Sequence, residues 1–160
     1  MHKLTALTLL FLAGCAAPQP AAPPPSVRAT AAPIYSSAVL DRDRLKGHWV
    51  QVAGMGTLPC PPGEVDIADD HIRWTLCLDK SRSGEGPMVP GKPGRFAVKG
   101  MADWWLLWVD GDYRTMVVGT PSGQFGFVLN RDANMPADRA KAVRDIMKFN
   151  GHDPAKLTFY

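Results

Sequence analysis

Chemistry in this sequence has to come from three cysteines, Cys15, Cys60 and Cys77, or from four histidines. His48, His71 and His152 lie far apart with no motif around them, and no nucleophile, base and orienting group are spaced as a catalytic set requires. The reading is of a protein that is not an enzyme, with no catalytic residue. Cys60 and Cys77, 17 positions apart, could join His71 and His48 around a metal. Neither a C-x-x-C nor a paired-histidine spacing is present, so no metal and no cofactor is expected. The alternative use of the two thiols depends on compartment. Met1 to Gly14 combine a short basic start, a mostly apolar run from Leu4 to Ala13 and small residues, which is the pattern of a secretion signal. The run is too short for a mature spanning helix, which needs about 20 apolar residues. In an exported, oxidising setting the pair Cys60 and Cys77 reads as one disulfide. Closing that loop contributes roughly 3 kcal/mol in the chain-entropy description.

Leu12-Ala13-Gly14-Cys15 resembles the bacterial lipobox. The resemblance implies that Cys15 is acylated, becomes the mature N-terminus and attaches the protein to a membrane, since more than one acyl chain anchors stably. Ala16, where that pattern places Asp to prevent onward export, implies the outer membrane, most simply facing the periplasm. From Ala16 to about Ser37 the chain has six prolines and many alanines, a composition that buries no core and reads as an extended tether. The expected division is a signal segment 1-14, a lipidated Cys15 with Pro/Ala-rich tether over 15-40, and one domain over 41-160. Formal charge is +3 with Lys and Arg scattered singly, so no nucleic-acid partner is expected.

The elements that must carry these residues read as β. Ala102 to Arg131 holds three strand-like runs, Trp104 to Val109, Met116 to Val118 and Phe125 to Leu129, joined by turns at Asp110-Gly111-Asp112 and Pro121-Ser122-Gly123. Upstream, Ile72, Trp74, Leu76 and Leu78 alternate with Arg73, Thr75 and Cys77, so one face of that strand is buried. The strand after Lys46-Gly47 is apolar on both faces, and Phe96 and Val98 share a face of a short strand. Asp79 to Pro93 is so rich in Gly and Pro that loops and abbreviated strands are expected there. After Arg131 the period changes. Pro136, then Ala140, Val143 and Met147, then Gly151 spell one helix with its start and stop signals, and Leu157 to Tyr160 can add a last strand.

Together these features resemble the bacterial lipocalins related to apolipoprotein D, across Asp41 to Tyr160. Gly47-His48-Trp49 is similar to the G-x-W opening of that family, Asp112-Tyr113 to its second signature, and Arg131 to the third. Gly151-His152-Asp153-Pro154-Ala155-Lys156-Leu157 is similar to the tail of bacterial members, with His152 in place of Tyr. The resemblance implies an all-β fold, an eight-stranded antiparallel up-and-down barrel with a C-terminal helix packed outside. It also implies that Gly47, Trp49, Asp112, Tyr113 and Arg131 fasten the closed end. If Trp49 points inward, Gln51 and Ala53 follow it, leaving Val50 and Val52 to the helix. The expected ligand lining is then Gln51, Trp74, Phe96, Trp104, Leu106, Phe125 and Phe127, with orientation left to residues at the mouth. Such a lining suits a fatty acid or lysophospholipid. The alternative is a structural or interaction lipoprotein of the envelope whose barrel is filled by its own side chains.

Overall fold

A computed structural model describes residues 25–160; the signal segment and Cys15 lie outside the described residues. Eight strands form the wall: β1 Gly47–Met55, β2 Glu64–Ile67, β3 His71–Cys77, β4 Ser81–Pro90, β5 Arg95–Val98, β6 Trp104–Val109, β7 Thr115–Gly119 and β8 Gly126–Asn130. Each is antiparallel to the next. β1 pairs with β2 through its first half and with β8 through its second, which closes the sheet into a barrel and removes its edges. β9, Leu157–Phe159, adds to the end of β1.

Alternation along these strands separates two cores. Inside the barrel lie Trp49, Ile72, Trp74, Leu76, Trp104, Leu106, Met116, Phe127 and Leu129. Outside it, Val52, Leu107, Val117 and Val128 meet Val143 and Met147 of the helix α1, Ala137–Phe149. The inward parities expected for β3, β6 and β8 are those observed. So is the disulfide Cys60–Cys77, with Cα atoms 5.6 Å apart. The helix ends as its glycine requires: Gly151 has φ +81, its N–H donates to Lys148 O at 3.0 Å and the His152 N–H to Met147 O at 3.0 Å. That is the Schellman arrangement, which satisfies otherwise unpaired carbonyls.

Three expectations are corrected. Ala53 packs outside with Val52, not inside with Trp49, because a bulge between Gln51 and Ala53 shifts the register against β8 and flips the parity. The glycine- and proline-rich stretch after Asp79 forms β4, ten residues long, where loops and short strands were expected. It is tolerated because β4 is seldom flanked on both sides: β3 pairs with Ser81 to Pro87 and β5 with Met88 to Pro90. Pro87, with no N–H to give, stands where one ladder ends and the other begins. Third, the stretch read as tether is docked from about Ser26 onward. Arg28, 6% exposed, donates from Nε to Asn150 O at 3.0 Å and from Nη1 to Pro121 O at 2.9 Å. Composition averages over the segment, whereas one guanidinium with matched carbonyls suffices to hold it.

Gly84 gives β4 a second function. A Cβ there would fall 2.6 Å from Cζ2 of Trp74, so the indole lies directly over the glycine of the facing strand. Gly84→Ala is expected to lose about 1–3 kcal/mol in urea unfolding through overpacking. An unchanged midpoint would mean that Trp74 can move aside.

Candidate functional site at the barrel mouth

Strand direction sorts the connections into two ends. The turns β2–β3, β4–β5 and β6–β7 gather at the end closed by Trp49. The loops β1–β2, β3–β4, β5–β6 and β7–β8 surround the other end, which is open.

At the closed end Arg131 is the fastener. Its Cζ lies 3.6 Å from the Trp49 ring centroid, and it donates to Tyr113 O at 3.2 Å, His48 O at 2.9 Å and Arg44 O at 2.7 Å. Trp49 is fully buried and its Nε1 donates to Leu45 O at 2.8 Å. Gly47, at φ +100, leaves room for the guanidinium: a Cβ would sit 3.3 Å from Arg131 Nη1. Tyr113 takes a left-handed φ of 57, and its hydroxyl oxygen accepts from Asp41 N–H at 2.6 Å. Asp112 is exposed in this turn. The carboxylate that organises the turn is Asp110, whose Oδ1 accepts from Arg114 N at 2.7 Å and Thr115 N at 2.6 Å. Sequence reasoning missed Asp110, although an Asp opening a D-G-D turn is the residue best placed to cap it.

The open end holds a cavity of about 1030 Å³. Met55, Leu78, Met101 and Phe125 supply apolar wall, Asp79, Arg82, Thr57 and Gln124 the polar rim, and Pro25 to Val27 one side. Of the seven residues expected to line a ligand, Phe125 alone reaches this wall. Trp74, Phe96, Trp104, Leu106 and Phe127 lie below it as a packed layer, each at most 4% exposed. Trp104 and Phe127 meet edge to face with centroids 5.1 Å apart, and Phe125 lies 5.5 Å from Phe127. Gln51 is occupied as well. Its Nε2 donates to Cys77 O at 2.7 Å and its Oε1 accepts from Cys77 N at 2.8 Å, so the amide clamps β1 to the disulfide end of β3. Trp74 Nε1 is buried without a hydrogen-bond partner among the described residues, an arrangement of the kind that costs stability.

The mouth residues that carry the wall were not singled out in the sequence. A signal existed: in an up-and-down meander every second loop falls at one end, so Met55, Leu78, Met101 and Gln124, each near such a loop, could have been grouped by topology alone. Asp79 and Arg82 form an ion pair at 2.7 Å on the rim. Hydrogen bonding to Arg82 holds the Asp79 carboxyl below its ordinary range.

Among the described residues no histidine lines the cavity. His48 pairs with Asp66 at 2.9 Å and His71 with Glu85 at 3.1 Å, both on the exposed wall. Hydrogen bonds from Arg73 and then His71 lower the Glu85 pKa. His152 is different. It is 3% exposed and fills a recess over the paired glycines Gly119 and Gly126, whose Cβ positions would lie 3.5 and 3.0 Å from its ring. Both ring nitrogens are without partners among the described residues. Burial pushes its pKa down to about 4, with Arg28 nearby acting in the same direction. Because the unfolded side chain titrates near ~6.5, the unfolded state binds more protons below that pH, and stability is lost as pH falls from there toward the native value. Acidification is expected to cost up to roughly 3 kcal/mol from this group. Urea midpoints at neutral and acid pH check it: His152→Leu should narrow the difference, and an unaltered difference would assign the acid sensitivity elsewhere.

Residues 92–160 match the family model described as a lipocalin-like domain. Over 55 residues the chain is 33% identical to temperature-induced lipocalin-1 of Arabidopsis thaliana, a match covering 34% of this chain. It spans 30% of the length of that curated relative. Among solved structures, apocrustacyanin C1 aligns with a TM-score of 0.51 at 18% identity, covering 74% of this chain and 78% of that one. Lobster apocrustacyanin A1 aligns with a TM-score of 0.49 at 20% identity over the same shares. The chain is thus a closed eight-stranded antiparallel barrel with one added strand and one C-terminal helix, consistent with the lipocalin fold, and its part from residue 92 onward matches the lipocalin-like domain.

Proposed function

We propose that this protein is a lipocalin of the bacterial, outer-membrane type, anchored through an acylated Cys15, that binds a small hydrophobic ligand of the fatty acid or lysophospholipid class at the barrel mouth. The observation that carries the binding reading is the cavity of about 1030 Å³ with its mainly apolar wall. Its volume is at the upper end of the range usual for small-molecule sites. A fatty-acid-length alkyl chain that buries roughly 450 Å² there gains about 11 kcal/mol, and an association cost of about 4 kcal/mol leaves about 7, which points to affinity in the micromolar range. The rim pair Asp79 and Arg82 offers a carboxylate or phosphate headgroup one cation, already engaged. Lipobox resemblance and the absence of Asp after Cys15 support the outer-membrane placement.

Packing of Trp74, Trp104 and Phe127 favours the second reading, a structural or interaction lipoprotein of the envelope with a filled barrel. Displacement of a fluorescent naphthalene-sulfonate probe by palmitate or lysophosphatidylcholine separates the two. Saturable displacement at one ligand per protein is expected, with a loss of at least tenfold in Phe125→Asp, which puts an unpaired charge on the wall. Displacement that never saturates, from a folded protein, would favour the filled barrel.

A further inference from the structure

The N-terminal segment runs the length of the barrel. Near Ser36 and Ser37 it lies at the closed end: the Ser36 hydroxyl donates to Pro93 O at 2.8 Å in the β4–β5 turn, and Ser37 N–H to Leu106 O at 2.8 Å. From there it climbs past the end of α1, where Tyr35 N–H donates to Asn150 Oδ1 at 2.8 Å and Ala29 N–H to Gly151 O at 2.8 Å. Arg28 locks it by donating to Asn150 O and Pro121 O. It finishes at the mouth, where Val27 N–H donates to Gly123 O at 2.7 Å and Pro25, Ser26 and Val27 form part of the cavity wall.

We propose that this strap makes the mouth the end that faces the lipid surface, so that the cavity opens onto the bilayer. The proposal rests on the reading that Cys15 is acylated. Pro25 is ten positions beyond Cys15, a contour of at most roughly 35 Å. Without the strap, the domain would be tethered from Asp41, at the closed end and 26 positions beyond Cys15, a contour of at most roughly 90 Å. Docking both shortens the tether and moves its origin to the opposite pole of the barrel. Surface chemistry at that pole fits a lipid headgroup layer: Pro59, Pro61 and Pro62 are exposed, and Leu58, Leu78 and Met101 are half-buried around the opening. A ligand drawn from the bilayer would enter the cavity without crossing water, which removes the largest barrier to moving an alkyl chain.

The test uses the full mature lipoprotein in phosphatidylethanolamine and phosphatidylglycerol vesicles that carry a nitroxide on a fraction of headgroups. A fluorophore is placed at the mouth by Ser122→Cys or at the closed end by Lys92→Cys, both exposed turn positions. Co-flotation with the vesicles reports anchoring separately. Quenching at position 122 is expected to exceed that at position 92 several-fold. Arg28→Ala, and Val27→Pro as a milder change that deletes one donor, should bring the ratio toward one while the protein still floats. Equal quenching at the two ends of a floating protein, or a ratio that survives both strap variants, would overturn the proposal. Protein that does not float would refute the acylation reading, and this inference with it.

Discussion

Trp49→Ala should lose about 3–5 kcal/mol of stability, the cost of removing a large buried aromatic and leaving a cavity. The indole is fully buried in the barrel core, so little of that volume can be refilled by solvent or by collapse. Its loss also strips Arg131 of its stacking surface, 3.6 Å away, a contact worth roughly 0.5–2 kcal/mol. Leu45 O would lose the indole N–H at 2.8 Å, and with it the short turn Asp43–Leu45 that plugs the closed end. Arg131 itself would remain held by three backbone carbonyls. For that reason Arg131→Ala should be costly too, and the double variant should cost less than the sum of the singles. Equilibrium urea unfolding of the two single variants and the double measures the coupling. Strict additivity would mean that the two side chains stabilise the closed end independently.

That end of the molecule was the most legible in the sequence. Gly47, Trp49 and Arg131 each act through a local constraint, a positive φ, a ring and a planar cation, and such constraints leave a residue type at a position. The inward sets of β3, β6 and β8 were legible for a similar reason, since alternation survives wherever one face is buried and the strand is regular. Ala53 was misplaced because a bulge changes the parity without leaving a mark in residue type. β4 was missed because its glycines and prolines are permitted by pairing on one side at a time, and pairing is a property of the assembled sheet. Cavity and strap were hidden more deeply still. Both arise from segments far apart in sequence, with Arg28 and Asn150 separated by 122 residues, and no local pattern encodes such a meeting.

Gln51 shows the same limit in one side chain, and it supplies the second large effect. As the one polar residue on an inward face it read as a ligand contact, yet both ends of its amide are used by the backbone of Cys77, at 2.7 and 2.8 Å. Gln51→Ala would leave a buried N–H and a buried carbonyl unpaired, each costing about 1–3 kcal/mol, and a cavity beside the disulfide. A total loss of roughly 3–5 kcal/mol in urea unfolding is expected. Gln51→Glu separates hydrogen bonding from volume. A glutamic acid of nearly the same shape can accept from Cys77 N–H, and only its protonated form can donate to Cys77 O. Burial and that carbonyl must therefore raise the folded pKa of the introduced carboxyl above its unfolded value of about 4.3. With the folded pKa raised, stability is fully present below about pH 4.3 and is lost as pH rises through the folded value. Gln51→Glu should consequently lie close to the parent protein in acid and fall away from it toward neutral pH, the reverse of the slope expected from His152. Parallel pH profiles for the parent and Gln51→Glu would show that the amide's contacts to Cys77 contribute little. They would return Gln51 to the set of groups available to a ligand.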